Sequence, residues 1–170
     1  MNYSYPYLSS LGTIFIVCDE EQVIGLYFEG QKYFFHSIEG DVVEKKTSLI
    51  EKVIAWLDLY FQGENPSVED IPLSARGTPF RQEVWQILKS IPYGEVRTYK
   101  DIACALAQKR KVSSISCQAV GRAIGHNPIS ILIPCHRVIG SNGSLTGYAG
   151  GIDRKLKLLE LESVKKSEYL

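Results

Sequence analysis

The chain has 170 residues, with 19 Lys plus Arg set against 19 Asp plus Glu, so its formal net charge is zero, which argues against a polycation that coats nucleic acid by bulk charge. At 45% hydrophobic and 22% charged it can bury a proper core, and it is neither disordered nor fibrous. The balance hides a split, because residues 1–75 hold 4 basic and 12 acidic residues, a net of −8, while residues 76–170 hold 15 basic and 7 acidic, a net of +8.

Such an asymmetry fits a nucleic-acid partner for the basic part, or equally an acidic domain docked on a basic one. The polar start Met1-Asn2-Tyr3-Ser4 lacks a signal-peptide core, and apolar runs such as Ile129 to Pro134 fall far short of a membrane span. An intracellular, cytoplasmic protein with no membrane partner is therefore expected. The apolar stretches Gly12 to Cys18, Gln22 to Phe28 and Gln31 to His36, separated by Asp19-Glu20-Glu21 and Glu29-Gly30, predict strands of an antiparallel meander. Leu49, Val53, Trp56, Leu57 and Tyr60 then recur on one face of a helix. The segment Gln62 to Gly77, with Gly63, Pro66, Pro72 and Gly77, breaks all periodicity and reads as a linker.

The second part opens with Thr78 as N-cap and Pro79 at the first helical position, followed by Phe80, Val84, Ile87, Leu88 and Ile91 on one face. Thr98 can cap a short helix over Tyr99 to Ala107, with Asp101 placed to return the capping bond. The basic turn Lys109 to Ser114 leads into another helix, roughly Ser116 to His126, stopped by Asn127-Pro128. Two short helices joined by a basic turn suggest a helix-turn-helix. Ala119, Gly121, Ala123 and Gly125 leave two edges of the second helix nearly bare, which suits tight helix packing or the close approach of another backbone; Arg122 favours a nucleic-acid backbone.

Four cysteines, Cys18, Cys104, Cys117 and Cys135, form no CxxC pair and no Cys/His spacing of a zinc site, so in a reducing compartment they are free thiols. Cys18 and Cys104 read as small buried hydrophobes. Cys135 differs: it follows Pro134, which ends an apolar strand, and precedes His136 and Arg137. A thiol beside an imidazole and a guanidinium has what it needs to ionise and attack. On extended chain His136 would point away from the sulfur and reach it only through a bend or a water.

The string Pro134-Cys135-His136-Arg137-Val138, preceded by Asn127-Pro128 and followed by Gly147-Tyr148-Ala149-Gly150-Gly151, resembles the signature of the O6-alkylguanine-DNA alkyltransferases, the methylated-DNA protein-cysteine methyltransferases; the resemblance runs in register from about Thr78 to Glu162. It implies an α/β protein: a small N-terminal antiparallel sheet plus helix domain and linker over residues 1–75, ribonuclease-H-like, then a mostly helical C-terminal domain over 76–170 that binds DNA and accepts the alkyl group. It implies irreversible, stoichiometric transfer from O6-alkylguanine, and from O4-alkylthymine, to Cys135 with no cofactor. His136 matches the base that draws the thiol proton through a water, and Glu162 the carboxylate that orients the imidazole. Asn127 matches the residue that ties the helix-turn-helix to the active-site strand, and Tyr99 the one that supports the flipped nucleotide and protonates the leaving purine.

The same resemblance places Tyr148 and Ala149 in a loop over the base, Val138 at the exocyclic amine, and Pro128 and Ile129 in the pocket wall. Ser116, Gln118, Ala119, Gly121, Arg122 and Arg137 become the candidate DNA-binding set. Two departures stand out: Gln118 where the family usually has arginine, and Ala149 where some members carry serine. The expected partner is double-stranded DNA carrying the lesion, entered from the minor groove by a monomer, with no metal bound. A lesion binder without catalysis and a Cys-His thiol hydrolase are the alternatives; the first lacks the acceptor cysteine, and the second needs an oxyanion hole for which there is no signal.

Overall fold

A computed structural model describes residues 1–145 and 147–169. The chain folds as two compact units, one of Met1–Arg76 with Pro128–Leu132, the other of Gly77–Asn127 with Ile133–Leu170.

In the first unit, strands β1 (Asn2–Ser9), β2 (Gly12–Cys18), β3 (Val23–Phe28) and β4 (Val42–Glu44) form one sheet in the order β3-β2-β1-β4. The sheet is mixed rather than purely antiparallel, because β4 runs parallel to β1. Strand β1 has its tyrosines at every second position, Tyr3, Tyr5 and Tyr7, a period of two that goes unnoticed when only aliphatic runs are counted. Pro6 is tolerated in it because β4 pairs only with Asn2 to Ser4, leaving Pro6 on an open edge.

The expected third strand, Gln31 to His36, is instead a series of turns, with Tyr33 and Phe35 in the left-handed region at φ 59° and 56°. Aromatic packing replaces a ladder there: the Phe34 and Phe35 rings stack at 4.5 Å, and Tyr27 lies 5.3 Å from Phe35. Helix α1 (Ser48–Phe61), capped by Thr47, buries Ile50, Val53, Trp56, Leu57 and Tyr60 against the sheet, with Ile50 in the place expected of Leu49. The segment read as a linker is held in order, since the Trp56 indole donates to the Pro66 and Ser67 carbonyls and Leu73 bridges to Val23 of β3. Pro128 to Ser130 pair with the same strand: Leu26 donates to the Pro128 carbonyl and accepts from the Ser130 amide, so Pro128 and Ile129 are buried within this unit.

The second unit is built on α2 (Pro79–Leu88), α3 (Tyr99–Arg110) and α4 (Cys117–Gly125), which pack pairwise against one another. Trp85 centres them: it is buried, and its indole donates to the Ala123 carbonyl at 2.8 Å. A short parallel pair, β5 (Arg97–Thr98) and β6 (Val138–Ile139), and helix α5 (Ile152–Leu161) complete the unit. The buried face of α5 is Lys155, Leu158 and Leu159, while Ile152 at its first position is 53% exposed.

Helix α3 starts as its sequence predicts, on a full capping box in which Thr98 Oγ1 accepts from the Asp101 amide at 3.0 Å and Asp101 accepts from the Thr98 amide at 2.9 Å. It runs to Arg110, three residues past the expected end, and Lys111 closes it in a left-handed turn. Because the box sets the first turn of α3, Thr98→Ala should cost about 1 kcal/mol of stability and Thr98→Ser much less, measured by urea unfolding.

Candidate active site

Pro134 does not end a strand. Past the bridged Ile129 the chain turns through residues 131–133, with Ile131 left-handed at φ 68°, and Cys135–Arg137 form one 3-10 turn closed by the Val138 amide on the Cys135 carbonyl. At three residues per turn, successive side chains leave the axis about 120° apart. The turn thus sends Cys135, His136 and Arg137 in three directions instead of to alternate sides of an extended chain.

Cys135 is 4% exposed, and burial pushes its thiol up from the ordinary range. Opposing that, the Asn127 side chain hydrogen-bonds the sulfur, Lys155 supplies a nearby positive charge, and the amides of Cys135 and His136 point at it. Asn127 is itself buried and donates to the Ile133 carbonyl at 2.9 Å, so one amide group joins the end of α4 to the approach to the turn. The sequence suggested a thiol ready to ionise; the structure holds one that burial keeps protonated.

His136 is fully buried, its Nε2 lies 2.6 Å from Glu162 Oε2, and its Nδ1 has no hydrogen-bond partner among the described residues. Burial holds the imidazole below its ordinary value and hence neutral, so Nε2 carries the proton and donates to the carboxylate. Glu162, the C-cap of α5, is 1% exposed. Burial opposes its charge, yet the imidazole and the Arg137 guanidinium hold its carboxyl well below the usual carboxylate range. Arg137, grouped by sequence with the DNA contacts, is turned inward: Nε donates to Glu162 Oε1 at 2.8 Å, Nη2 to Oε2 at 3.1 Å and Nη1 to the Ile91 carbonyl at 2.7 Å.

Tyr99 stands at the first position of α3, and burial, with the sulfur of Cys135, pushes its phenol up to about 12. Gly147, in the loop before α5, has φ +82°, and a Cβ there would come within 2.9 Å of the Tyr99 hydroxyl, so only glycine permits this approach. Tyr148 of the same loop is 8% exposed and Ala149 half-buried. Val138 is buried in β6.

Lys155 was missed by sequence reasoning. It is 1% exposed, its Nζ lies 5.9 Å from the centre of the Tyr99 ring, and burial lowers its pKa to about 8 against the opposing pull of Cys135. The signal was available, since Lys155, Leu158, Leu159 and Glu162 follow the i, i+3, i+4, i+7 spacing of one helix face.

On the outer side of α4, Gln118 and Arg122 are exposed while Ala119 and Gly121 are half-buried. The exposed Ser116 uses its hydroxyl as the helix cap, accepting from the Ala119 amide at 3.2 Å. No group of three or more His, Cys, Asp or Glu among the described residues could hold a metal ion, and no helix there is long and apolar enough to cross a membrane.

Two family models match the chain: the 6-O-methylguanine DNA methyltransferase, ribonuclease-like domain over residues 1–75, and the DNA binding domain of the same proteins over 79–164. The chain is 43% identical to the methylated-DNA–protein-cysteine methyltransferase of Methanosarcina barkeri, with 91% of this chain and 92% of that protein covered. It is 38% identical to the constitutive enzyme of that name in Bacillus subtilis, with 99% of each covered. The crystal structure of Mycobacterium tuberculosis OGT in complex with DNA superposes with a TM-score of 0.80 at 38% identity, over 98% of this chain and 94% of that one. With family models covering both parts of the sequence and relatives matched along almost their whole length, the chain belongs to the methylated-DNA–protein-cysteine methyltransferase family.

Proposed function

We propose that this chain, a DNA-repair methyltransferase by family, uses Cys135 as the acceptor that takes the alkyl group from O6-alkylguanine in duplex DNA. The observation that supports the reading is a buried thiol followed in the same turn by a buried, neutral imidazole whose Nε2 is anchored on Glu162. The Cys135 proton passes through one water to His136 Nδ1, the buried ring nitrogen without a hydrogen-bond partner among the described residues. The thiolate then attacks the alkyl carbon. A C–S bond forms, the C–O6 bond breaks with its electron pair leaving on the purine, and the Tyr99 hydroxyl supplies the proton that the leaving guanine takes up. Lys155 and the Asn127 side chain stabilise the thiolate while it exists. The thioether has no proton to lose and no route back, so each molecule acts once.

Asn127 keeps the helix-turn-helix in register with the acceptor turn, and Tyr148 and Ala149 close over the extruded base. Recognition of the guanine edge requires the nucleotide out of the stack. The outer face of α4 is the DNA face: Gln118 enters the gap left by the flipped base, Arg122 and the amide end of the helix meet phosphates, and Ala119 and Gly121 let the backbone sit close in the minor groove. The +8 charge of residues 76–170 makes binding salt-sensitive and little concerned with sequence. O4-alkylthymine is a second substrate, and the monomer is the acting species. A protein that only binds the lesion has no use for a thiol with an anchored base.

Two measurements test this. Incubation with duplex DNA containing O6-methylguanine, followed by peptide mapping, should place one methyl group on Cys135, and Cys135→Ser should abolish transfer; methyl elsewhere, or transfer undiminished in the variant, sinks the acceptor assignment. At Gly121 an added Cβ meets only the Tyr99 ring, at 3.9 Å, an ordinary contact. Gly121→Leu should therefore weaken DNA binding by about tenfold or more while unfolding free energy changes by about 1 kcal/mol or less. Unchanged binding would remove the minor-groove assignment.

A further inference from the structure

Glu162 has two oxygens, and the buried imidazole engages only one of them. Oε2 takes His136 Nε2 at 2.6 Å; Arg137 then reaches both oxygens, Nε to Oε1 at 2.8 Å and Nη2 to Oε2 at 3.1 Å. The guanidinium is fixed from behind by its third bond, to the Ile91 carbonyl at 2.7 Å, and its carbon lies 5.8 Å from the centre of the Tyr93 ring. The Glu162 and His136 side chains are fully buried, and that of Arg137 is 11% exposed.

A lone carboxylate at this distance from an imidazole in a dry site would draw a second proton onto the ring. The resulting imidazolium has hydrogens on both nitrogens and cannot take one from a thiol. We propose that Arg137 is the positioning residue that prevents this: its forked grip absorbs the charge of Glu162, so the carboxylate orients His136 through Nε2 while Nδ1 keeps an open lone pair for the Cys135 proton. The inference rests on the acceptor reading above and deepens it. Arginine suits the task because it holds both oxygens at once and does not give up its own proton at any pH the protein experiences.

Several other charged and titratable groups surround the ring. From α5 come Glu162, which favours the imidazolium, and Lys155, which disfavours it; from the turn itself come Arg137, which disfavours it, and the protonated Cys135 thiol. From the segment between α2 and β5, Tyr93 faces the Glu162 and Arg137 charges and stays a neutral phenol, its proton held more firmly by burial. One carboxylate thus stands against two cations and full burial. Of the two cations only Arg137 contacts the carboxylate in the bonds described above.

The test reads the ring directly. In the full-length, unalkylated protein with ¹³C-labelled histidine, the three residues His36, His126 and His136 can be followed by NMR as pH falls, with assignment by substitution of the first two. The wild-type His136 midpoint should lie below the ordinary value of about 6.5. In Arg137→Gln it should rise by about one unit or more, and the acid limb of methyl transfer to Cys135 should move up with it. Arg137→Lys keeps a charge but loses the fork, and should fall between the two. A wild-type midpoint above about 6.5 overturns the proposal even where neither variant folds, as does an unmoved midpoint in a folded Arg137→Gln protein. Absence of methyl on wild-type Cys135 would instead sink the acceptor reading, which the NMR titration does not depend on.

Discussion

The second unit is organised around a carboxylate placed where a carboxylate has no water. Glu162 closes α5, 1% exposed, and its charge is offset chiefly by His136 and Arg137, which the 3-10 turn brings to it. Each partner therefore depends on the others: removing one side of such a buried pair generally costs about 3–5 kcal/mol, because the remaining charge is left in a dry environment. The dependence fixes more than Glu162. It sets the position of α5 against the turn, the rotation of the imidazole, and through the Ile91 bond the segment that follows α2. Under the proposed reading function and fold are joined here, since the contacts that hold the C-terminal helix in place are those that orient the His136 ring.

Burial of Cys135 follows the same logic. A thiol exposed to water would ionise more readily, but it would also meet other electrophiles and oxidants. At 4% exposure Cys135 is held protonated, while Lys155, Asn127 and two backbone amides favour its thiolate form. The positive charge near the sulfur costs stability through desolvation, the Lys155 pKa being drawn down to about 8. A fully buried lysine is rarely kept for packing alone. Under the proposed reading, its position beside Tyr99 and Cys135 puts that cost where charge would develop during transfer.

Much of this was readable from the residues, and the failures have specific causes. Helices α1, α2, α3 and α4 announced themselves through caps and apolar spacing, because both signals act within a few residues of chain. Strand β1 was missed because its period-two residues are tyrosines. Gln31 to His36 was misread because an aromatic run can satisfy itself by ring packing within turns as well as in a ladder. In the site, the order Pro134-Cys135-His136-Arg137 located the chemistry, but neither the inward turn of Arg137 nor the burial of Lys155 could be read there. Both depend on Glu162, some 25 residues further along the chain, and on which face of α5 is covered. Local patterns name the groups; only packing decides which charges face one another.

The 3-10 turn explains how three adjacent residues come to hold distinct roles. On an extended strand Cys135 and Arg137 would share one side and His136 the other, which would put the guanidinium beside the sulfur and leave Glu162 with the imidazole alone. Regular α-helix would give a similar spread of directions, but it needs a longer run of suitable residues on both sides, and Pro134 forbids the preceding turn. One turn at about 120° per residue directs the thiol toward Asn127 and Lys155 and both His136 and Arg137 onto Glu162 from different angles. The proline before the cysteine is thus what lets His136 and Arg137 occupy consecutive positions and both reach Glu162 without crowding the sulfur.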